Sequence, residues 1–210
     1  MTNSTWSNPQ QMWDERFAES RPVYGQEPND YLRAQAQRIS PGARVLVPGD
    51  GYGRNGVWLA RQGFYVHTVD LSPVGVERAR NTAQATGLVM TIEVADLASW
   101  HWPVKAFDAV VSIFLHLPES LRVDCHRRML EALVPGGLVI LEAFTPAQLE
   151  HASGGPKHVE LLYTAPMLRS DFAGAEVLEL EEREVVLQEG PLHRGPAAVV
   201  RATFRKGRGG

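Results

Sequence analysis

Three glycines alternate in the run Val45-Leu46-Val47-Pro48-Gly49-Asp50-Gly51-Tyr52-Gly53-Arg54-Asn55-Gly56, between an apolar stretch and a helix start. Without a Cβ, glycine lets a ligand touch main chain, and the first turn of the following helix presents free N–H groups. Asp70 ends the next apolar run about twenty residues on, which puts a carboxylate at the ligand-binding edge of a parallel sheet. Gly51, Gly53 and Gly56 also satisfy G-x-G-x-x-G, so the spacing alone admits a dinucleotide site. Elsewhere, His116, His193 and Arg194 are candidate catalytic residues that could move a proton or orient negative charge.

The elements that must position these residues follow from periodicity and punctuation. Asn8-Pro9 predicts the start of a short amphipathic helix in the segment containing Trp6, Trp13 and Phe17, and a second helix is expected over Pro28–Ile39. From Arg44 onward strands alternate with helices, which argues for a parallel sheet covered on both faces. Strands are expected at Arg44–Val47, Tyr65–Val69, Met90–Val94, Phe107–Ile113 and Leu138–Ala143, and helices near Arg54–Gln62, Pro73–Thr86 and Glu119–Leu133. After Thr145 a short helix over Pro146–Glu150, a Gly/Pro-rich loop and a helix around Ala165–Phe172 are expected. Two long strands, Glu176–Gln188 and Ala197–Phe204, then form an antiparallel hairpin, since a parallel return needs about a dozen connecting residues. Glu189–Pro196 is expected as its loop and Lys206–Gly210 as a frayed tail.

With 210 residues and a formal net charge of -3, the chain suits one domain without the cationic surplus that favours nucleic acid as a partner. No apolar run is long enough to span a bilayer, and the opening residues lack a signal-peptide pattern. A single cysteine, Cys125, allows no internal disulfide, so a cytoplasmic location is expected. No spacing of His, Cys, Asp or Glu predicts a metal site.

The alternation Gly49-x-Gly51-x-Gly53 resembles the first motif of the class I S-adenosylmethionine-dependent methyltransferases. Val69-Asp70-Leu71-Ser72, Val94-Ala95-Asp96-Leu97 and Leu133-Val134-Pro135-Gly136-Gly137-Leu138 resemble their later motifs in register. That resemblance implies an α/β, doubly wound, mostly parallel seven-stranded Rossmann-like sheet ending in an antiparallel hairpin. It divides the single domain into a helical lid (1–40), a cofactor-binding core (41–145) and a substrate-side insertion with the terminal hairpin (146–210). S-adenosyl-L-methionine is then the cofactor and S-adenosyl-L-homocysteine its product. Contacts are implied from Gly49, Gly51, Gly53 and Asn55, from Asp70 and Leu71 at the ribose, and from Asp96, Leu97 and Ile113. The family's acid before the loop is replaced by Val47, so Asp50 is expected to supply the negative charge near the methionine ammonium. Asp96 reads equally as a helix cap.

Trp13-Asp14-Glu15-Arg16-Phe17 with Tyr24-Gly25, Gly53-Arg54-Asn55, and Gly190-Pro191-Leu192-His193-Arg194 resemble the tellurite-resistance and thiopurine methyltransferase group. This likeness implies a lid of Trp13, Phe17 and Tyr24, with Trp13 and Tyr24 on the cofactor and His193 and Arg194 facing a small acceptor. A soft nucleophile such as a thiol, or a tellurium or selenium oxyanion, is expected. The alternatives are small-molecule N- or O-methylation, a non-catalytic protein binding the cofactor or its product, or a dinucleotide-dependent oxidoreductase. After the fourth strand the sequence reads Ser112-Ile113-Phe114-Leu115-His116-Leu117-Pro118, without the Asn/Asp-Pro-Pro-aromatic run of enzymes acting on bases or glutamine. A nucleophilic role for Cys125 is not expected, because methyl transfer requires no covalent enzyme intermediate.

Overall fold

The computed structural model describes residues 8–208, so Trp6 lies outside the described residues. Helix α1 (Pro9–Ala18) starts where Asn8 predicts, its side-chain oxygen accepting from Gln11 N–H. Helix α2 (Asp30–Gln35) is shorter than expected: Asn29 caps it, and it tightens into a 3-10 turn (Ala36–Arg38) before Pro41-Gly42. There follow β1 (Arg44–Pro48), α3 (Arg54–Arg61), β2 (Tyr65–Asp70), α4 (Pro73–Ala85), β3 (Thr91–Val94), β4 (Phe107–Ile113), α5 (Glu119–Ala132) and β5 (Leu133–Phe144). After 3-10 turns at Pro146–Glu150 and Val159–Leu161 come α6 (Ala165–Asp171), β6 (Glu176–Gly190) and β7 (His193–Arg205).

The seven strands form one sheet in the order β3-β2-β1-β4-β5-β7-β6. β1 to β5 pair in parallel, while β7 is antiparallel to both β5 and β6. The order reverses between β1 and β4, where a doubly wound sheet opens a crevice at the strands' C-terminal ends. Alternation along the central strands feeds two cores. Leu46, Val110, Val139 and Leu141 pack with Met129 of α5 and Phe172, while Val45, Val47, Val111 and Ile140 pack with Leu32 of α2 and Leu59 of α3. Val47 is therefore core, and Cys125 is buried against α5's side of the sheet with its thiol pushed up to about 12 by burial.

Two boundaries differ from expectation. β5 begins at Leu133 rather than Leu138, because the Pro135-Gly136-Gly137 turn is absorbed as an irregularity, the pairing jumping from Phe107–Leu133 to Ala109–Leu138. The hairpin connection is not the long loop Glu189–Pro196. Pairing resumes at His193 opposite Gly190, leaving only Pro191 and Leu192 between the strands. The tail is tied as far as Lys206, whose N–H donates to Gly137 O at 2.8 Å. The outer strand β6 bears exposed Glu181, Glu182 and Glu184. No helix among the described residues is long and apolar enough to cross a membrane.

Candidate active site

β1 leaves the sheet at Pro48 into a turn closed by Gly49 N–H to Val69 O at 2.7 Å and Gly53 N–H to Asp50 O at 3.0 Å. Gly49, Gly51 and Gly53 hold φ of +70°, +59° and +87°, a left-handed path that a side chain would strain. The loop is held from both sides by carboxylates. Asp70 accepts from Gly51 N–H at 2.7 Å through one oxygen and from Ser72 N–H at 2.8 Å through the other. Burial pushes its carboxyl up to about 6. Each oxygen retains a lone pair for a further donor, which fits a sugar diol lying beside bare main chain. The fit therefore holds at Asp70 and along the Gly49–Gly53 backbone.

Asp50 does not do what the sequence suggests. Gly53 caps α3 without a side-chain acceptor, and Asp50 turns beneath that helix to accept from Gly56 N–H at 3.1 Å. It is buried there and pushed up to about 8 by burial, so it is not aimed at a methionine ammonium. Asn55 is likewise engaged: its Oδ1 accepts from Asn29 N–H at 3.0 Å, tying α3 to the start of α2. Leu71 follows Asp70 at the sheet edge and is partly exposed. Asp96 is exposed and accepts from Ala98 N–H at 2.9 Å, a local turn cap at the end of β3. The side chains of Leu97 and Ile113 are buried in the two cores.

Helix α1 lies over this loop. Phe17 is buried with its ring against Gly51 and Gly75, where an added Cβ would approach it to 2.6 and 2.7 Å. Trp13 stacks on Phe17 at 5.4 Å, and Tyr52 of the glycine loop meets Phe17 edge-on at 5.5 Å. Asp14 accepts from Ser72 Oγ–H and from Val74 N–H at 3.3 Å, pinning the helix to the N-terminus of α4. Tyr24 lies near Trp13 and accepts from Arg16 at 2.9 Å. Its N–H donates to Tyr52 Oη at 3.0 Å, and the Tyr52 hydroxyl donates to Gly25 O at 2.7 Å. The aromatic residues of the N-terminus and the glycine loop thus form one cluster.

The Tyr24-Gly25 and Gly190–Arg194 stretches meet in space. Gly25, at φ +79°, and Gly190 press backbone to backbone: a Cβ on Gly25 would lie 1.5 Å from Glu189 O, and one on Gly190 would lie 2.3 Å from Gly25 N. Leu192 N–H donates to Val23 O at 3.0 Å. Beneath this contact, Glu189 accepts from Arg54 at 2.8 Å, from Asn29 Nδ2 at 2.8 Å and from His193 Nδ1 at 3.1 Å. Asn29 also donates to Glu142, a fully buried carboxylate that accepts from Arg201 at 2.6 Å. Burial raises Glu142, whereas in Glu189 the effect of burial is outweighed by His193 and Arg54, which hold its carboxyl below the usual range.

His193 is 5% exposed, its ring 4.7 Å from Tyr24, 4.8 Å from Phe114 and 5.4 Å from Phe144. Burial lowers its pKa against the opposing pull of Glu189. Phe114 stacks on Phe144 at 4.5 Å and holds φ +53°, a strained turn that aims its ring across the end of β4. Arg194, the next residue along β7, is exposed and opposite Gln188; successive strand residues point to opposite faces, so it does not join His193 as expected. His116 also departs from its expected role. Its Nδ1–H donates to Leu161 O at 2.7 Å, its Nε2 accepts from Phe144 N–H at 3.3 Å, and burial pushes it down to about 4. Both ring nitrogens are committed to main chain, which leaves none to take a proton from a ligand.

The sequence left Glu189, Glu142 and Tyr52 unremarked. Glu189 looks like one more acid in a Glu-rich hairpin, and its only signal is adjacency to Gly190. Among the described residues there is no group of three or more His, Cys, Asp or Glu that could hold a metal ion.

A methyltransferase-domain family matches residues 45–137, from β1 to the β5 turn. The chain is 27% identical to the thiopurine S-methyltransferase of Pseudomonas putida over 93% of its own length and 98% of that protein. Its fold is similar to that of TehB from Haemophilus influenzae (TM-score 0.69, 20% identity, 94% of this chain and 66% of that one). It is also similar to N-methyltransferase NodS from Bradyrhizobium japonicum, solved with S-adenosyl-L-homocysteine (TM-score 0.67, 17% identity, 94% and 97%). With a glycine cradle, a strand-end carboxylate and this seven-stranded order, the chain belongs to the class I S-adenosylmethionine-dependent methyltransferases.

Proposed function

We propose that this methyltransferase acts on the sulfur of a small molecule, a thiol carried on an apolar or aromatic body. The observation that carries the reading is His193, a buried histidine with lowered pKa walled by Tyr24, Phe114 and Phe144. Such apolar, ring-rich surroundings favour an uncharged, ring-bearing acceptor. It disfavours a tellurium or selenium oxyanion, since Arg54 is already paired with Glu189 and Arg194 faces away. The similarity to a thiopurine S-methyltransferase over nearly its whole length supports sulfur as the accepting atom.

In this reading the main chain of Gly49, Gly51 and Gly53 and the carboxylate of Asp70 hold S-adenosylmethionine, with Trp13 and Tyr24 of the N-terminal segment covering it. Its sulfonium supplies an activated methyl group. The chain's own residues align the acceptor, exclude water and, at His193 Nε2, receive a proton. A radiolabelled-methyl screen tests the reading with benzyl mercaptan, 4-nitrothiophenol, tellurite, selenite, catechol and benzylamine as acceptors. Label on the thiols and none on the oxyanions is expected. Label confined to oxygen or nitrogen acceptors, or to tellurite, would overturn it.

A further inference from the structure

We propose that Glu189 is the positioning residue of the reaction, fixing His193 as the tautomer whose bare Nε2 faces the acceptor. This inference rests on the thiol reading above. It deepens that reading by assigning the proton step to a carboxylate–histidine pair that spans the hairpin turn.

Lone pairs identify the donor. An ionised carboxylate can only accept, and Glu189 is kept ionised by the guanidinium of Arg54 at 2.8 Å. The 3.1 Å contact with His193 Nδ1 must then be N–H donation from the ring. In a neutral imidazole with its proton on Nδ1, the other nitrogen carries the free lone pair. Among the described residues Glu189 is the hydrogen-bond partner of this ring, the rings of Tyr24, Phe114 and Phe144 pack around it, and Gly154 lies against its Cδ2 edge. Nε2 is therefore left without a protein partner among the described residues, and it is not one of the unpartnered atoms sealed from solvent, so its lone pair is open to an acceptor.

The charged and titratable groups facing His193 are few. Glu189 on β6 raises its proton affinity. Arg54 of α3 and Arg16 of α1 lower it, and His116, after β4, is close enough for the two rings to oppose each other's protonation. Burial adds to the lowering, so the ring rests neutral near pH 7. Glu189 itself is over-determined by three donors from three elements: Arg54 of α3, Asn29 at the start of α2 and His193 of β7. Arg54 also donates to Tyr24 O at 3.1 Å. The residue that follows the glycine cradle is thus joined through one carboxylate to the group that meets the acceptor.

The step balances simply. The acceptor's S–H bond breaks as an Nε2–H bond forms. The pair left on sulfur makes the new bond to the methyl carbon, and the pair of the old carbon–sulfur bond returns to the donor sulfur. The imidazolium afterwards passes its proton to water while Glu189 holds the ring in place.

The test uses the full chain with 15N-labelled histidine and two thiols, benzyl mercaptan, which arrives protonated at neutral pH, and 4-nitrothiophenol, which arrives as a thiolate. Imidazole 15N correlations of the protein saturated with S-adenosylhomocysteine, with His193 identified by its loss in His193→Gln, are expected to show the proton on Nδ1. Arg54 and His193 donate to the same Glu189 oxygen, which Glu189→Gln turns into a neutral and weaker acceptor, so the Nδ1–H tautomer is expected to lose its dominance. kcat toward benzyl mercaptan is expected to fall about 10²-fold, with KM little changed. 4-Nitrothiophenol, needing no base, is expected to lose less than about a tenth of that factor. Glu189→Asp, which keeps the charge, is expected to restore part of the loss. A proton found on Nε2 in the wild-type ring would overturn the proposal, as would equal slowing of both thiols by Glu189→Gln with the tautomer unchanged. If the wild type methylates neither thiol, the acceptor reading fails, yet the tautomer in the two proteins still decides what Glu189 does.

Discussion

Replacing Gly25 by alanine should detach the N-terminal segment from the hairpin without disturbing the sheet. The new methyl group would lie 1.5 Å from the carbonyl oxygen of Glu189, a main-chain atom that cannot swing aside. The positive φ of +79° adds about 1–2 kcal/mol of strain for a non-glycine residue. Undocking sacrifices the hydrogen bonds of Leu192 N–H to Val23 O, Tyr24 N–H to Tyr52, Tyr52 to Gly25 O and Arg54 to Tyr24 O. At about 1 kcal/mol net each, with about 1 kcal/mol for the Tyr24–His193 ring contact, this gives a ceiling of about 5 kcal/mol. The loss cannot exceed that ceiling, because the segment can leave rather than force the clash on the core. For a chain of this size the melting temperature should drop by about 10 °C. Hydrogen exchange should show Leu192 and Gly25 amides losing protection while β1 and β4 amides keep theirs. Gly42→Ala is the control: it has a similar φ of +70° but no atom near its missing Cβ, so it carries strain alone. A Gly25→Ala protein melting within about 2 °C of Gly42→Ala, with Leu192 still protected, would refute the reasoning.

Three further outcomes follow from the same geometry. Asp70→Asn offers one acceptor oxygen where two are used, so calorimetry should find S-adenosylhomocysteine bound about 10–100-fold more weakly, and unchanged affinity would contradict the assignment. His116 is held neutral down to about 4 against about 6.5 in the unfolded chain. The unfolded state therefore gains a proton first, and this contribution is fully present above about pH 6.5 and lost as pH falls toward 4. Denaturant titrations should show the stability advantage of wild type over His116→Gln narrowing by about 2–3 kcal/mol across that window; an advantage that does not change with pH would exclude the effect. Cys125, buried with its thiol pushed up to about 12, should resist Ellman's reagent in the native chain and react on unfolding. Rapid native labelling would show that α5 opens.

What the sequence disclosed and what it withheld separate along physical lines. The glycine turn and Asp70 were legible because the strand, turn and helix that carry them are local, and each uses residues whose backbone preferences are strong. Asp50 misled because its partner is the main chain of Gly56, available only once α3 has formed without a side-chain cap. The roles of His193 and Arg194 came apart at a strand boundary: pairing beginning at His193 sends adjacent side chains to opposite faces, where a long loop would have left both free to turn inward. His116 looked like a base until Leu161 and Phe144 supplied partners for both nitrogens. Glu189 was invisible for a plainer reason. Its partners Asn29 and Arg54 lie 160 and 135 positions away in sequence, and no periodicity reports such a meeting.

The acidic outer strand has a consequence for how molecules of this chain meet at high concentration. A free sheet margin offers unpaired amides and carbonyls to any extended segment that drifts alongside, which is the ordinary route to templated fibre growth. On β6 the exposed Glu181, Glu182 and Glu184 would confront a second copy's carboxylates at ladder spacing, and β3 at the opposite margin offers only the four residues Thr91–Val94. Neutralising those three acids removes within the molecule only exposed contacts, of Glu181 with Arg183, Glu182 with Ala165 N–H and Glu184 with His151, so it should leave the fold intact and shorten the lag before aggregation.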